Sequence, residues 1–307
     1  MTGNHDSGSA HAGHFPSTGK ALTISAWLTG IYFILELAIG LWTGSVAVIS
    51  DAFHTFSAVG GILVAIVAAR LAKRPASAEK SFGWYRAEII GALVNGAFLF
   101  VMAVLVIVMG LMRLSNPIDL PTGPMLFAAA GGLVTEFISL FLLYKQQGDD
   151  LNVRGAYWHI IQTFVGSLII IVAAGTIYFT GFLAIDPILG TGFGFVLLWA
   201  SWGISRDAIH LLMDGTPTDV SLIDVKHALE QLDGVENVHH LHGWALTSGK
   251  YVFSAHMKIG GDEVDHDNLL QRADDLLMNE YGFFFTTLQL ETNCRNEEAA
   301  LSIDAVS

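Results

Sequence analysis

The stretch Ser50-Asp51-Ala52-Phe53-His54-Thr55-Phe56-Ser57-Ala58 places an acid and an imidazole inside a long apolar segment. In a bilayer a charged side chain costs at least about 2.5 kcal/mol unless it faces water, an ion or a polar partner. Because Asp51 and His54 are three residues apart, a helix puts both on one face, about one turn apart. The stretch predicts a membrane helix that carries a functional site.

A second apolar segment has a related pattern, Tyr157-Trp158-His159-Ile160-Ile161-Gln162-Thr163. Two histidines on two different apolar helices predict a site between those helices. What this site holds cannot be read from these two segments alone.

The composition is that of a membrane protein. Of 307 residues, 52% are hydrophobic and 14% charged, and the mean hydropathy is +0.53, which is far more apolar than a soluble domain of this length. A membrane span needs about 20 apolar residues. The stretches that qualify are Ala21–Thr43, Ser45–Leu71, Ile89–Met112, Met125–Tyr144, Ala156–Thr180 and Phe182–Ile204. They predict an all-α six-helix bundle over residues 20–206.

The charges divide the chain and orient it. The net charge is −13, and because most acids follow Asp207, an acidic soluble part is predicted after the membrane part, with no nucleic acid as a partner. Cytoplasmic loops are enriched in Lys and Arg. On the side shared by both termini lie Lys20, Arg70, Lys73, Arg74, Lys80, Arg86, Lys145, Arg154 and Arg206, and opposite them lies Arg113. Both termini are therefore predicted to be cytoplasmic.

The termini contain little apolar sequence. Residues 1–19 are polar, carry His5, His11 and His14, and lack the pattern of a signal peptide, so a disordered arm is expected. Residues 296–307 are expected to form a disordered tail. The one cysteine, Cys294, excludes an internal disulfide framework and fits a reducing compartment. Without a targeting signal, a bacterial inner membrane is the default expectation.

Residues 207–295 change to an α+β pattern. The predicted elements are a helix over Val220–Leu232, strands over Val235–Thr247 and Lys250–Ile259 joined at Ser248-Gly249, a helix over Leu269–Tyr281 and a strand over Phe283–Leu290. A short turn between two β-rich runs is typical of a hairpin. This order predicts a small cytoplasmic domain of ferredoxin-like type.

Several motifs, in order, resemble the cation diffusion facilitator family in its zinc-transporting branch. They are Gly44-Ser45, Ser50-Asp51-Ala52-Phe53-His54, Ser81-Phe82-Gly83-Trp84-Tyr85-Arg86-Ala87-Glu88, Asn152-Val153-Arg154-Gly155-Ala156-Tyr157-Trp158-His159, Asp186-Pro187, Gly215-Thr216-Pro217 and His240-Leu241-His242-Gly243-Trp244. The resemblance covers Lys20 to Cys294. It implies a homodimer that exports a divalent metal, expected to be Zn²⁺, from the cytoplasm in exchange for protons, without an organic cofactor.

The sequence departs from that family at the expected transport site. In this branch the second and fifth helices each carry His-x-x-x-Asp, and those four side chains hold the metal. Here His54 and His159 are present, but the two aspartate positions are Ala58 and Thr163. Two neutral imidazoles leave the charge of a dication unbalanced in a low-dielectric site.

Nearby polar residues offer compensation. Asp51 lies one helical turn before His54, Gln162 follows His159 by three residues, and Glu136 lies in the fourth predicted span, where the family more usually has an amide. Our hypothesis is that the transport site is formed by Asp51, His54, Glu136, His159 and Gln162. The alternative is structural: Asp51 caps or bridges helices, and Glu136 and Gln162 form hydrogen bonds within the bundle.

Four further polar residues lie in or near apolar segments. For Glu36 and Asp186 we expect a role in helix packing, with a proton path as the alternative. Glu88 follows Arg86 closely, which predicts a local ion pair. Asn95 is expected to form a hydrogen bond across helices.

The cytoplasmic part contains a second set of candidate ligands. Alternation along a strand places His240 and His242 on one face and His239 on the other. The resemblance implies zinc at His242 and His256, and Glu291 and Cys294 end the last strand nearby. The predicted regulatory metal site thus comprises His240, His242, His256, Glu291 and Cys294, and a purely structural strand is the alternative.

Metal binding by imidazole implies coupling to protons. A histidine must lose its proton to bind a metal and can regain it when the metal leaves. The main prediction is therefore proton-coupled metal export. The alternatives are a metal-sensing or regulatory family member that does not transport, and a transporter of another divalent metal. An enzyme is disfavoured because no nucleophile with a base and no cofactor motif stands out.

Overall fold

The computed structural model describes residues 19–72, 74–144, 151–247, 249–260 and 264–293. Within the helices, the side chains of residues 19–23, 26, 58, 61–66, 68, 69, 72, 143, 144, 151–159, 161 and 162 also lie outside this description. The long helices are α1 (Gly19–Thr43), α2 (Val46–Ala72), α3 (Ala87–Ser115), α4 (Thr122–Tyr144), α5 (Leu151–Thr180) and α6 (Ile185–Leu212). Each of the six predicted apolar stretches falls largely within one of them.

The described helices include four that are long and apolar enough to cross a membrane: Ala87–Ser115, Thr122–Leu142, Thr163–Thr180 and Ile185–Leu212. Trp27–Thr43 is a shorter apolar helix. Large apolar side chains on these helices point outward, as in Phe141, Phe179 and Trp199, which are 72%, 84% and 79% exposed. Such exposure is unfavourable in water and favourable in lipid. The chain is a multi-pass integral membrane protein.

The chain forms two compact units. The first contains the described residues of Met1–Ile62 and Phe98–Ala200, and the second those of Leu63–Ala97 and Ser201–Ser307. In the first unit small and branched residues of α2, α4 and α5 pack closely, including Ala47, Val48, Met125, Ala129, Ile170 and Ala173. Small residues let membrane helices approach each other, which strengthens van der Waals contact.

Asp186, at the start of α6, caps α2. Its carboxylate accepts hydrogen bonds from Ser45 Oγ at 2.5 Å, from the Val46 amide at 2.8 Å and from the Ala47 amide at 3.3 Å. The first amides of a helix lack partners within that helix and favour a negative charge. Asp186 therefore acts in helix packing, as expected from the sequence.

The second unit includes the small sheet. Its remaining elements are α7 (Leu222–Glu230), β1 (Val235–Thr247), β2 (Lys250–Ile259), α8 (His266–Asn279) and β3 (Phe283–Glu291). Strand β2 lies in the middle, antiparallel to β1 and parallel to β3. The described strands number three, one fewer than in the ferredoxin-like order β-α-β-β-α-β.

One face of the sheet packs against the two short helices. Val238, Phe253 and Met257 are fully buried there against Leu229 of α7 and Leu277 of α8. Because side chains alternate along a strand, residues 254, 256 and 258 of β2 lie on the opposite face. That second face of the sheet carries the polar residues described below.

The predicted ion pair between Arg86 and Glu88 is wrong. Arg86 instead pairs with Asp214, and Glu88 accepts a hydrogen bond from the hydroxyl of Thr247. All four residues belong to the second unit. Two neighbours in sequence can thus bind partners that come close only in the fold.

Candidate functional site

A group of acids is buried within the first unit. Glu36 of α1, Asp51 of α2 and Glu136 of α4 are 0%, 1% and 5% exposed. Each lies close enough to the other two to interact electrostatically. We call Glu36, Asp51 and Glu136 the acid cluster.

Glu36 is the most fully hydrogen-bonded member of the acid cluster. The Tyr32 hydroxyl lies 3.0 Å from Glu36 Oε1 and 3.1 Å from the Ala128 carbonyl oxygen, and it can donate to either. Thr55 Oγ1 donates to Glu36 Oε2 at 3.4 Å. The carboxyl group of Asp51 lies close enough to that of Glu36 to interact with it electrostatically. Glu36 is thus hydrogen-bonded within α1 through Tyr32 and to α2 through Thr55.

Glu136 faces α5. Ser167 Oγ donates to Glu136 Oε1 at 3.0 Å. The Thr163 hydroxyl faces the same carboxylate, but its proton is directed to the Ile160 carbonyl at 2.9 Å. Glu136 Oε2 has no hydrogen-bond partner among the described residues. The α4 carboxylate therefore lies beside Thr163 with one oxygen available to a ligand.

A glycine of α5 makes room for Asp51. A Cβ atom at Gly166 would lie 1.9 Å from Asp51 Oδ1 and 2.5 Å from Asp51 Cγ. No side chain fits at that distance. Asp51 Oδ1 has no hydrogen-bond partner in the described part of the chain.

The predicted transport-site residues are only partly described. His54 is buried, 9% exposed, and its ring meets that of Phe193 at a centroid distance of 5.6 Å. Asp51 and Glu136 contact successive residues of α5, Gly166 and Ser167. The side chains of His159, Gln162 and Ala58 lie outside the described residues. That His54 and His159 converge on one ion stays a prediction.

A second cluster lies on the exposed face of the sheet. His256 Nδ1 lies 3.0 Å from Glu291 Oε1, and His239 Nε2 lies 3.4 Å from Glu291 Oε2. One ligand atom from each of these three residues lies within 4.8 Å of the others. Among the described residues it is the one such group of three or more His, Cys, Asp or Glu side chains. We call it the sheet cluster.

A bulge in β1 brings His239 into the sheet cluster. His239 pairs with His256, but His242 pairs with Ser254, so β1 has one residue more than β2 between these pairs. His240 has a φ of 53°, a left-handed conformation that suits a bulge. The expected alternation fails here, because the extra residue places His239 and His242 on the same face.

The donors of the sheet cluster fit a transition metal. Two imidazoles and one carboxylate are ligands that zinc accepts. Tetrahedral ligands of zinc lie roughly 3.4 Å apart, as follows from metal–ligand bonds of about 2.1 Å. The ring of His240 lies near as well, at centroid distances of 5.1 Å from His239 and 5.3 Å from His256. Small side-chain rotations would complete a three-ligand site with an open position.

Of the remaining predicted cytoplasmic ligands, the structure describes His242. His242 lines an open cavity of about 1270 Å³ together with Trp84, His210 and Trp244. Cys294 lies outside the described residues. His239 was missed because the assumption of a regular strand put it on the wrong face. Glu291 ends β3, on the far side of β2 from β1, and the sequence offered no signal that would bring His239 to it.

Two family models match the chain. One, described as the cation efflux transmembrane domain, matches residues 22–213. The other, described as the cation efflux protein, cytoplasmic domain, matches residues 217–293. Together they cover both the long helices and the small sheet.

Similar curated proteins are named as metal antiporters and transporters. The chain is 33% identical over 286 residues to a cadmium, cobalt and zinc/H(+)-K(+) antiporter of Bacillus subtilis, covering 92% of each. It is 32% identical to the metal cation efflux system protein CzcD of Cupriavidus metallidurans, covering 97% of this chain and 95% of the relative. It is 30% identical to the zinc transporter ZitB of Escherichia coli, covering 91% and 90%.

Proposed function

Because the chain belongs to the cation efflux family, we propose that it exports a divalent metal, Zn²⁺ in the first place, in exchange for protons. The names of its relatives support this reading, since they include zinc transporters and an antiporter of cadmium, cobalt and zinc. In this proposal all six long helices span a bacterial inner membrane, both termini are cytoplasmic, and the cytoplasmic α+β domain is ferredoxin-like.

The observation that carries the proposal is the position of Glu136. Thr163 stands where the resemblance leads us to expect an aspartate ligand, four residues after His159. The Glu136 carboxylate faces Thr163 from α4 and keeps one oxygen without a partner in the described part of the chain. A carboxylate restores the negative charge that two imidazoles lack. In this proposal the carboxylate ligand that the family has on α5 is supplied from α4 by Glu136.

The remaining proposed ligands are those of the second and fifth helices. His54 and His159 supply nitrogens, Asp51 supplies a second carboxylate, and Gln162 supplies an amide oxygen. Both Asp positions of the family pattern, Ala58 and Thr163, lack a carboxylate. Rocking of helices around such a site would expose the metal to one side of the membrane and then to the other.

The cytoplasmic domain is proposed to sense the metal as a homodimer. The family model that it matches is that of the cation efflux cytoplasmic domain, and its short name, ZT_dimer, denotes a dimer. His239, His256 and Glu291 would bind the regulatory ion, and His240 and Cys294 are near enough in sequence to add a ligand. His242 keeps the role of a predicted ligand in the same domain.

The test is metal uptake into vesicles. Purified protein in proteoliposomes should take up Zn²⁺ when a pH gradient is imposed. Glu136→Gln should weaken Zn²⁺ binding at least about tenfold, because losing even a group that only supports a metal ligand usually costs that much. Glu79→Gln, which removes an exposed acid, is the matched control. No uptake of Zn²⁺, Co²⁺ or Cd²⁺ by the wild type would favour the regulatory alternative. Unchanged Zn²⁺ binding in Glu136→Gln would remove Glu136 from the site.

A further inference from the structure

The segment that joins α2 to α3 is basic and has no role in the proposed function. Residues 70–88 contain five Lys or Arg and two Glu, which gives a net charge of +3, whereas the whole chain has a net charge of −13. The segment leads directly into α3, a helix long and apolar enough to cross a membrane. Basic residues clustered beside a membrane helix attract anionic lipid headgroups. We call residues 70–88 the basic segment.

Two cations of the basic segment lie over one aromatic ring. Lys80 Nζ is 4.8 Å and Arg74 Cζ is 5.7 Å from the centroid of the Trp84 ring. Arg86 pairs with Asp214, but the ion pairs among the described residues include neither Lys80 nor Arg74. An aromatic face attracts a cation without neutralising its charge. Both cations therefore remain available to an anion.

Lys80 and Trp84 also line the open cavity of about 1270 Å³ that His242 borders. The lining residues all belong to the second unit. The apolar part of the wall includes Leu71, Ile90, Leu222, Leu241 and Leu246. An apolar wall with a few charged groups is the usual composition of a ligand site.

The cavity lies at the ends of two membrane-length helices. Ile90 in the first turn of α3 and His210 in the last turn of α6 both line it. Ile90 is 52% exposed, and Val94, about one turn further along α3, is 62% exposed. The apolar face that α3 offers to lipid thus continues into the wall of the cavity. A molecule that occupies this cavity can also contact the lipid bilayer.

Exposed aromatic rings flank the same cavity. Phe82 and Tyr85, which line it, meet Phe285 and Phe284 of β3 at centroid distances of 6.0 Å and 6.5 Å. Phe82, Phe284 and Phe285 nevertheless remain 42%, 49% and 47% exposed. Lys250 Nζ lies 4.1 Å from the centroid of the Phe284 ring. Aromatic rings and cations of this kind are enriched where a protein meets the membrane surface.

We propose that this cavity binds an anionic phospholipid. Its phosphate lies beside Lys80 and Arg74, and an acyl chain covers the apolar wall as far as Ile90. The site does not rest on the proposed function, since lipid binding requires only that the chain lies in a membrane. A free phosphate offers the same charge but leaves the apolar wall uncovered. A lipid fits better than a protein partner because the wall continues into the lipid-facing side of α3.

The first test is the retention of lipid by the purified, full-length protein in detergent, measured by native mass spectrometry with equal amounts of phosphatidylglycerol and phosphatidylcholine. The wild type should retain phosphatidylglycerol preferentially. The double variant Arg74→Gln with Lys80→Gln should lower the affinity for phosphatidylglycerol about fivefold for each positive charge removed. Glu79→Gln removes an acid from the lining and should raise it.

Lys258→Gln is the matched control, because it removes an equal charge that is 36% exposed and paired with Glu236. It should leave the retention of phosphatidylglycerol unchanged. Equal retention of the two lipids by the wild type would overturn the proposal. Wild-type affinity for phosphatidylglycerol in the double variant would overturn it as well.

The second test uses the wild type and so does not depend on the folding of a variant. Added salt should weaken the retention of phosphatidylglycerol, because salt screens exposed charges. Excess glycerol phosphate should not displace the lipid, because it has no acyl chain to bury. Displacement by glycerol phosphate would indicate a site for a free anion and would overturn the proposal. So would a double variant that changes the oligomeric mass and not the bound lipid, because a second copy would then cover the cavity.

Discussion

The acid cluster and the sheet cluster differ in the atoms that they offer to an ion. The acid cluster joins Glu36, Asp51 and Glu136 from three helices and is surrounded by hydroxyl oxygens. The sheet cluster joins two imidazoles to Glu291. Oxygen ligands suit protons and hard cations, whereas imidazole suits zinc and its neighbours. In our proposal the acid cluster takes part in transport, with His54 and His159 adding nitrogens to its oxygens, and the sheet cluster retains a metal.

Burial differs between the two clusters as well. The acids are nearly inaccessible, whereas His239 and His256 keep 17% and 22% of their side chains exposed. An unpaired charge is expensive in the interior and inexpensive where water can reach it. We therefore expect changes in the acid cluster to affect transport strongly, and changes in the sheet cluster to affect metal sensing.

The largest effect is expected at Gly166. In Gly166→Ala the new Cβ would overlap Asp51, and overpacking of this kind costs about 1–3 kcal/mol. Transport should fall sharply and the thermal unfolding temperature should drop. Gly175→Ala lies in the same helix with nothing within 4 Å of its Cβ, so it should behave as the wild type or slightly better. Equal behaviour of the two variants would contradict the close packing of Asp51 on α5.

A smaller effect on transport is expected in the sheet cluster. His256→Ala removes one of the three proposed ligands of the sheet cluster. The affinity of the proposed regulatory Zn²⁺ should therefore fall at least about tenfold, measured by competition with a coloured chelator. Transport at saturating Zn²⁺ should remain. His227→Ala removes a more exposed histidine, 67% exposed beside Glu230, and should change neither property. Loss of transport in His256→Ala alone would show that the two clusters are not separate in function.

The sequence predicted the elements well and the clusters in part. The strands Val235–Thr247 and Lys250–Ile259 were predicted with their observed bounds, because alternation and a glycine turn are local signals. The bulge at His240 was not predictable, since a left-handed histidine leaves no trace in composition. The pairing of Arg86 with Asp214 was missed for a related reason, because a long-range partner depends on the fold.

In the membrane part, the sequence pointed to the residues but not to their partners. Asp51, His54 and Glu136 stood out because a polar group is costly in an apolar segment. Glu36 was assigned to packing, and its hydrogen bond with Thr55 emerged only when α1 and α2 were placed together. That the Glu136 carboxylate lies opposite Thr163 likewise depends on how α4 and α5 pack against each other.

The most direct test of the central claim is a rescue experiment on Zn²⁺ uptake. In the proposed site, Glu136 supplies the charge that Thr163 lacks. Zn²⁺ uptake lost in Glu136→Gln should therefore return in the double variant Glu136→Gln with Thr163→Asp, which moves the carboxylate back to α5. Failure of the added aspartate to restore any uptake would contradict the claim.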